Sequence, residues 1–521
     1  MTKPTEDPDP AEPDRPEVVR EVERKLRVGD DFALPELAGA VKGVATVEPG
    51  DPVTLRAVYH DTEDLRLFRW KVTLRRREGG SDAGWHLKLP VDGEAPGVRD
   101  EVRLPLRAGR VGRVPAALSD IVTALVRGAP LVPVVALTTV RTPYLLLDAD
   151  GHAVAELVDD RVTVSVGDEE RDQFREIEVE ALEPAGNAVV DRVADLLVSL
   201  GATPSAASKA ASALGAAAAQ PPDVPEPGRV RPKDPAGDAV RAHLATHVRR
   251  LLLQDVRMRR DLPDAVHQMR VAARRLRSGL REFAPLVDSD WGKQLRDELG
   301  WIAGELGLAR DTEVLLERLD EHADHLAPAD AARARAAIDP WLRARLESGR
   351  TAGLAALRTD RYLALLGTLV DAAAAPQLTD AASARCSKAL PPLVAQANEQ
   401  LIRDVKRLKF GGASRRWHRA RITAKRARYA AEAAVPVFGR RAERVATALE
   451  QVTELLGLHQ DAYVGQTTLR ELSTHDGVDG PTGFALGLLH AVEEQNELVY
   501  RLDFEEMWPG VRRTLRRTTL D

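Results

Sequence analysis

Charge alternates with Val, Ile or Leu along at least four short stretches of the first two hundred residues, and this alternation limits the fold more than any other feature. In Glu21-Val22-Glu23-Arg24-Lys25-Leu26, a β-strand would send Glu21, Glu23 and Lys25 to one face, because alternate side chains share a side. Arg75 and Arg77 are two apart in the same way, as are Glu101 and Arg103, and Glu176, Glu178 and Glu180. Lys88 sits mid-strand in His86-Leu87-Lys88-Leu89. A solvated outer sheet face also alternates in charge. That reading weakens where the intervening positions are already apolar. If the Val, Ile and Leu set packs outward against helices, the charged set must line an interior. Many antiparallel strands at short spacing then make a polar-lined barrel, a ligand tunnel. Two carboxylates beside an ammonium suit a wall that holds a divalent cation and a polyanion together.

The chain has 521 residues, too many for one ordinary core, so two or more domains are expected. Residues 1–16 are rich in Pro and acid and are expected to form a disordered tail. Residues 17–204 read as the barrel domain. Strands are expected over 53–60, 70–77, 85–89, 101–106, 144–148, 153–158, 161–166 and 174–181. Turn signals separate many of them, including Asp92-Gly93, Asp150-Gly151 and Gly167-Asp168. Helices are expected over 116–127 and 189–200, the second ending on Gly201. The single Cys386 excludes an intrachain disulfide and fits a reducing compartment. No apolar run approaches the roughly 18–20 residues of a membrane span, and the N-terminus lacks the apolar core of a signal peptide. A cytoplasmic location without membrane partners is expected.

Residues 205–235 turn Ala- and then Pro-rich and read as a linker, the first part of it continuing as a small helix. From 236 to 515 the composition is Ala, Leu and Arg with helical periodicity. This half repeats itself: HQMRVAARRLRSGLREF from His267 is echoed by HRARITAKRARYAAEAA from His418, and LGLARD from Leu306 by LGLHQD from Leu456. The offsets, 151 and 150 residues, place two copies at about 236–375 and 385–515. Each copy is expected to be a bundle of long helices. At 100° per residue, His267, Arg270, Arg274, Arg277 and Arg281 fall within an arc of about 80°. Met269, Leu276, Leu280 and Phe283 lie opposite. His418, Arg421, Lys425 and Arg428 take the same offsets in the second copy. Between Val405 and Ala431 there are ten Lys or Arg and no acid. A solvated helix face mixes signs to gain from i,i+4 pairs; a one-sign stripe repels itself unless an anion answers it.

The first half resembles the CYTH superfamily, the triphosphate tunnel metalloenzymes. EVERK matches the ExExK signature, and Tyr59-His60-Asp61-Thr62, LRRR at 74–77, GWHLKLP, the Glu101-x-Arg103 strand and a late EIEVE follow in the family's order. The second half resembles the CHAD domain over about 236–515, through both His-x-x-Arg stripes and the late Asp311 and Asp461. The resemblance implies an α+β multidomain chain: an N-terminal antiparallel eight-stranded β-barrel tunnel, then an all-α duplicated helical bundle. It also implies hydrolysis or cyclisation of a triphosphate with a divalent metal, and binding of inorganic polyphosphate. The second copy departs from the first at Glu432, opposite Arg281, and at Gln460, opposite Arg310, so its stripe is expected to bind less strongly there.

A triphosphate carries about four negative charges and needs cationic walls plus a metal. Glu21, Glu23, Glu178 and Glu180 are the candidate ligands for Mg²⁺ or Mn²⁺, with Glu101 and Glu176 behind them. Lys25, Arg75, Arg77, Lys88, Arg103 and Arg141 are the candidate phosphate grips; Glu21, Glu23 and Lys25 form the catalytic group. His267, Arg270, Arg274, Arg277, Arg281, His418, Arg421, Lys425 and Arg428 are the candidate polyphosphate contacts, which offers a tie to polyphosphate granules. Inorganic triphosphate leads thiamine triphosphate and nucleotides, because no base-recognition element stands out. A non-catalytic polyphosphate anchor is the second reading. Nucleic acid is disfavoured: aromatics are 4% of the chain, too few for stacking platforms. Oligomeric state is open.

Overall fold

A computed structural model describes residues 16–91, 93, 94, 97–166, 169–183, 186–205, 208–518 and 520. The expected tail, except Pro16, and the Gly167-Asp168 turn lie outside these residues, as does Asp92. The chain forms two compact units, Met1–Asp223 and Val224–Asp521.

The first unit contains β1 (Glu17–Val28), β2 (Thr46–Pro49), β3 (Val53–Asp61), β4 (Thr73–Glu78), β5 (Gly84–Pro90), β6 (Val98–Pro105), β7 (Val132–Leu147), β8 (Ala153–Val166), β9 (Glu169–Ala181) and β10 (Thr203–Pro204). Eight strands run antiparallel in the order β1-β6-β5-β4-β3-β7-β8-β9, and β9 pairs back onto β1 to close the barrel. Closure removes the exposed edges that an open sheet would carry. Helix α1 (Asn187–Ser199) covers the outer face, where Val189, Val190, Val193 and Leu197 pack against Leu26, Ile177 and Val179. The apolar set of β1 and β9 does face outward, as the alternation requires.

Two strand expectations are corrected. The segments 153–158 and 161–166 are one strand, β8. Asp159 and Asp160 read as a break in sequence, but each is answered by a bidentate arginine on its own face. Asp159 accepts from Arg175 at 2.9 and 2.7 Å, and Asp160 from Arg141 at 2.9 and 2.7 Å. Strand β7 begins at Val132, well before the expected 144, with Pro133 and Pro143 both inside it.

Residues 208–223 hold the small helix expected at the start of this stretch, and they pack onto the barrel instead of linking the units. Helix α2 (Lys209–Leu214) packs Ala210 into a cluster with Tyr59, Leu137, Val162 and Val164, and Ala218 joins the same cluster. The compact unit runs on to Asp223 because these small residues fill barrel space.

The second unit is helical throughout its main elements: α3 (Ala236–Arg259), α4 (Ala265–Glu282), α5 (Ser289–Glu305), α6 (Gly307–Ala323), α7 (Pro328–Ala356), α8 (Asp360–Ala374), α9 (Cys386–Val405), α10 (Ser414–Phe438), α11 (Arg440–Ser473) and α12 (Gly480–Arg517). The duplication is visible in the elements, with α3-α4 matched by α9-α10. The long α11 corresponds to α5 and α6, which are separated only at Leu306. Met269, Leu276 and Leu280 of α4 and Phe283 just after it are all buried, the face expected from the periodicity. In α10, Ala420, Ala424, Ala427, Ala431 and Ala434 bury a small-residue stripe against Leu449, Val452 and Leu456. A second core joins the copies, with Leu319, Ile338 and Leu342 meeting Leu469, Leu486 and Leu489.

Candidate functional site

Ion pairs between strands that are not neighbours identify the inward face. Lys88 on β5 lies 2.6 Å from Glu21 on β1, with β6 between them. Arg75 on β4 lies 3.9 Å from Glu101 on β6, and Arg141 on β7 lies 3.1 Å from Glu178 on β9. Lys25 bridges Glu23 at 3.0 Å and Glu178 at 2.8 Å. Arg103 pairs with Glu101 and reaches Glu21 at 3.6 Å. Arg77 is buried but turned to Asp82 in the β4–β5 connection. The barrel candidates therefore meet in one interior, with Arg77 at its margin.

Sequence reasoning missed four participants. His86 donates from Nδ1 to Glu101 at 2.9 Å, and Tyr59 accepts from Arg75 at 3.4 Å. Asp160 is fully buried beneath Arg141. Lys209, from α2, reaches Asp160 at 2.8 Å, Glu178 at 2.7 Å and Glu176 at 3.5 Å. His86 shares a strand face with Lys88, so its alternation was a usable signal. Lys209 was signalled only as a lone charge among Ala and Ser. Lys209→Ala would leave Asp160 and Glu176 buried with one cation fewer. It is expected to lower barrel unfolding free energy by about 3–5 kcal/mol in denaturant melts at pH 8, the cost of breaking a buried pair. Glu176 is held above the usual carboxylate range by burial and the nearby Glu178. It binds its proton more tightly folded than unfolded, so the loss should shrink as pH falls.

Electrostatics separate the carboxylates into two kinds. Burial pushes Glu101 up, but His86, Lys88 and Arg75 outweigh it and hold it well below the usual range. Burial of Glu178 is likewise overcome by Lys209, Lys25 and Arg141. Glu180 is the opposite case. Burial, Glu21 and Glu23 push it up to about 7, and it makes no ion pair among the described residues. Glu23 faces Glu180 across the β1–β9 seam. Each of the cations Lys25, Arg75, Lys88, Arg103, Arg141 and Lys209 lies within 3.9 Å of a carboxylate, so the interior's cations are already paired.

In the helical unit the two stripes converge. Lys425 of α10 is drawn down to about 7 by burial and by Arg421, Arg274 and Arg270, so side chains from both copies share one cluster. Arg270 donates to Asp311 at 2.9 Å, and Asp461 faces Arg421 and Lys425. His418 donates from Nδ1 to Gln460 at 2.7 Å. His267 is lowered by burial and Arg310, and Arg281 by burial and Arg426. Arg277 lies across Gly300. Arg428 is turned away from an external anion: it is bound by Glu432, Glu450 and Thr453. Glu432, the departure from the first copy, also binds Arg275.

A family model for the CYTH domain matches residues 19–212, and one for the CHAD domain matches residues 242–470. An uncharacterized protein of Mycobacterium tuberculosis is 37% identical over 512 residues, covering 93% of this chain and 94% of its own. This chain is a CYTH–CHAD protein. Among solved structures, PptA from Streptomyces chartreusis is 25% identical with a TM-score of 0.46, covering 53% of this chain and 100% of its own. The CHAD domain from the plant Ricinus communis is 24% identical with a TM-score of 0.44, covering 56% and 95%. Members of the CYTH superfamily are metal-dependent triphosphatases and cyclases.

The metal candidates of the CYTH–CHAD protein divide by what already binds them. Glu178 is committed to Lys25, Arg141 and Lys209, which places it as a buried anchor for cations. Glu21, Glu23 and Glu180 crowd together, and Glu180 makes no ion pair among the described residues; an all-oxygen carboxylate set of this kind fits a hard divalent ion. A separate group, Asp148, Asp150 and His152, brings three ligand atoms within 4.8 Å of one another. It lies in the exposed β7–β8 turn, where Asp148 accepts from the backbone N–H of Asp150 and His152, and is a turn anchor outside the barrel interior. No helix among the described residues is long and apolar enough to cross a membrane.

Proposed function

We propose that the barrel hydrolyses inorganic triphosphate to diphosphate and phosphate with Mg²⁺ or Mn²⁺, and that the helical unit binds inorganic polyphosphate. The observation that carries the first part is the carboxylate set Glu21, Glu23 and Glu180, crowded together beside cations that are already paired. A substrate with about four negative charges meets that set unfavourably unless positive charge is added, and Glu180 beside Glu21 and Glu23 is where that charge has ligands. A bound divalent ion would neutralise phosphate oxygens and lower the pKa of a coordinated water. The chain's own residues hold and orient the substrate. Arg75, Arg103 and Arg141 offer planar forks to phosphate oxygens, and Lys25 and Lys88 offer point charges. Their present partners, Glu101, Asp160 and Glu178, keep them extended before substrate arrives. The test is phosphate release from inorganic triphosphate, thiamine triphosphate, ATP and long-chain polyphosphate with each metal. Release from the first alone supports this reading; release from none with either metal removes it.

The second part rests on the convergence of Arg270, Arg274, Arg421 and Lys425 from both copies. A polyanion binds the protonated Lys425 in preference to the neutral form. Below pH 7 the ammonium is already present and affinity is at its plateau. Above pH 7 binding must take up a proton, so affinity should fall as pH rises. Lys425→Arg keeps its charge throughout and should flatten the profile between pH 6.5 and 8.5. Parallel profiles for the two proteins in a polyphosphate binding assay would separate Lys425 from the bound anion.

A further inference from the structure

Helix α12 buries charge and exposes leucine. Glu493, Glu497 and Arg501 face the core and are buried. Glu493 is paired with Arg318 and His322 of α6, and Glu497 with Arg501 and with His459 of α11. On the far side, Phe484, Leu498, Val499 and Leu502 are 62%, 43%, 41% and 55% exposed. Single exposed leucines need no explanation. These are in register: Phe484, Leu488, Ala491, Gln495, Leu498 and Leu502 follow at steps of 4, 3, 4, 3 and 4 residues, the spacing of a coiled-coil seam. At 100° per residue the seam stays within about 40° of one line, a half-turn from Glu493. We propose that this ridge is an interface for a second copy of the chain, the two α12 helices packing antiparallel about a two-fold axis at Gln495.

The ridge is complementary to itself in that arrangement, as an isologous interface must be. Leu488 meets Leu502, and the small Ala491 meets the larger Val499. Gln495 meets its own copy, and an amide carries both the donor and the acceptor that such a pair needs. A lone polar residue in an apolar seam also fixes the register.

Charge separates a second copy lying antiparallel from one lying parallel. Exposed Asp476 and Asp479 stand at the start of the helix, and exposed Arg512, Arg513 and Arg516 at its end. Antiparallel pairing brings each acidic end to the partner's basic end. Asp503, Glu505 and Glu506 then fall opposite the uncharged stretch from Phe484 to Gly487. Parallel pairing would set every one of these charges against its own sign. The exposed parts of Phe484, Leu498, Val499 and Leu502 amount to about 400 Å² per copy, a patch of the size that is often functional. Two ridges with their polar flanks cover about 1,200 Å², the lower end of stable interfaces. The pairing uses none of the residues assigned above to triphosphate or polyphosphate, so it stands apart from both readings.

Sedimentation equilibrium of the full chain, without added polyphosphate, is expected to show a reversible dimer. Leu498→Glu with Leu502→Glu should raise its dissociation constant about a hundredfold or more, the weight of central interface residues. Both positions are exposed, so an unchanged circular dichroism melt of the monomer is expected. Cysteine cross-linking reads the geometry, since a disulfide forms only between Cα atoms within about 7 Å; the native Cys386 is buried. Gln495→Cys should cross-link with its own copy. Ala491→Cys and Val499→Cys should cross-link when mixed, and neither alone. A monomer at every concentration would overturn the proposal and leave the ridge to a different partner. A dimer that the double glutamate variant leaves intact would overturn it, as would Ala491→Cys joining its own copy, the mark of a parallel pair.

Discussion

Glu180→Gln is expected to lower phosphate release from inorganic triphosphate by roughly 10²–10³, the cost of removing one element of preorganised charge, while the barrel stays folded. The substitution removes a formal charge at nearly constant volume. Folding is spared because Glu180 makes no ion pair among the described residues, so no buried cation is orphaned. The like-charge pressure from Glu21 and Glu23 that raises Glu180 is relieved instead. Glu23→Gln should be as damaging to turnover but costlier to stability, since Lys25 loses one of its two carboxylate partners. Metal affinity carries a second signature. A divalent ion must displace the proton that Glu180 holds up to about pH 7, so wild-type affinity should rise with pH through neutrality and level off above it. Glu180→Gln should lose that rise. Calorimetric titration of Mg²⁺ and Mn²⁺ at several pH values reads this independently of turnover. Wild-type rates for Glu180→Gln at limiting metal would remove Glu180 from the ligand set.

How much of this was legible in the sequence depends on whether a signal is local. Alternation placed Glu21, Glu23, Lys25, Lys88 and Arg75 on inward faces, because a strand has only two faces and the other one was already apolar. The converging helical stripes were legible for a similar reason: a 100° step fixes which side chains line up. Partnership was not legible. Glu178 and Glu180 are two apart on one strand and look equivalent. They differ because Lys25, Arg141 and Lys209 reach only the first, and those cations arrive from β1, β7 and α2. Lys209 itself lies in a stretch of Ala and Ser whose composition matches a linker. Its place in the barrel is set by the packing of Ala210 and Ala218 against Tyr59, Leu137, Val162 and Val164. Asp160 was hidden by Asp159 beside it, since two adjacent acids mimic a turn until the arginine on each face is known.

Replacing Arg270, Arg274, Arg421 and Lys425 together with Ala is expected to weaken polyphosphate binding by at least about two orders of magnitude, since each charge-assisted contact is worth roughly 1.5–3 kcal/mol. These four are the side chains that Lys425 and its cationic neighbours bring together from the two copies. Adding Arg277 and Arg428 should contribute less. Arg428 is already bound by Glu432 and Glu450, so Arg428→Ala alone should change affinity little. Helicity should persist or improve, because Ala is the best helix former and a self-repelling cluster is removed. The salt dependence gives an independent readout. Log affinity against log salt has a slope near −0.7 per contact on a single-stranded polyanion, so the quadruple variant should lose about three units of slope. Triphosphate hydrolysis by the barrel should be unchanged, because its cations and candidate metal ligands are its own. Retained affinity and slope in a folded quadruple variant would move the polyanion off α4 and α10. Loss of triphosphatase activity in that variant would instead show that the helical cluster takes part in the barrel's reaction.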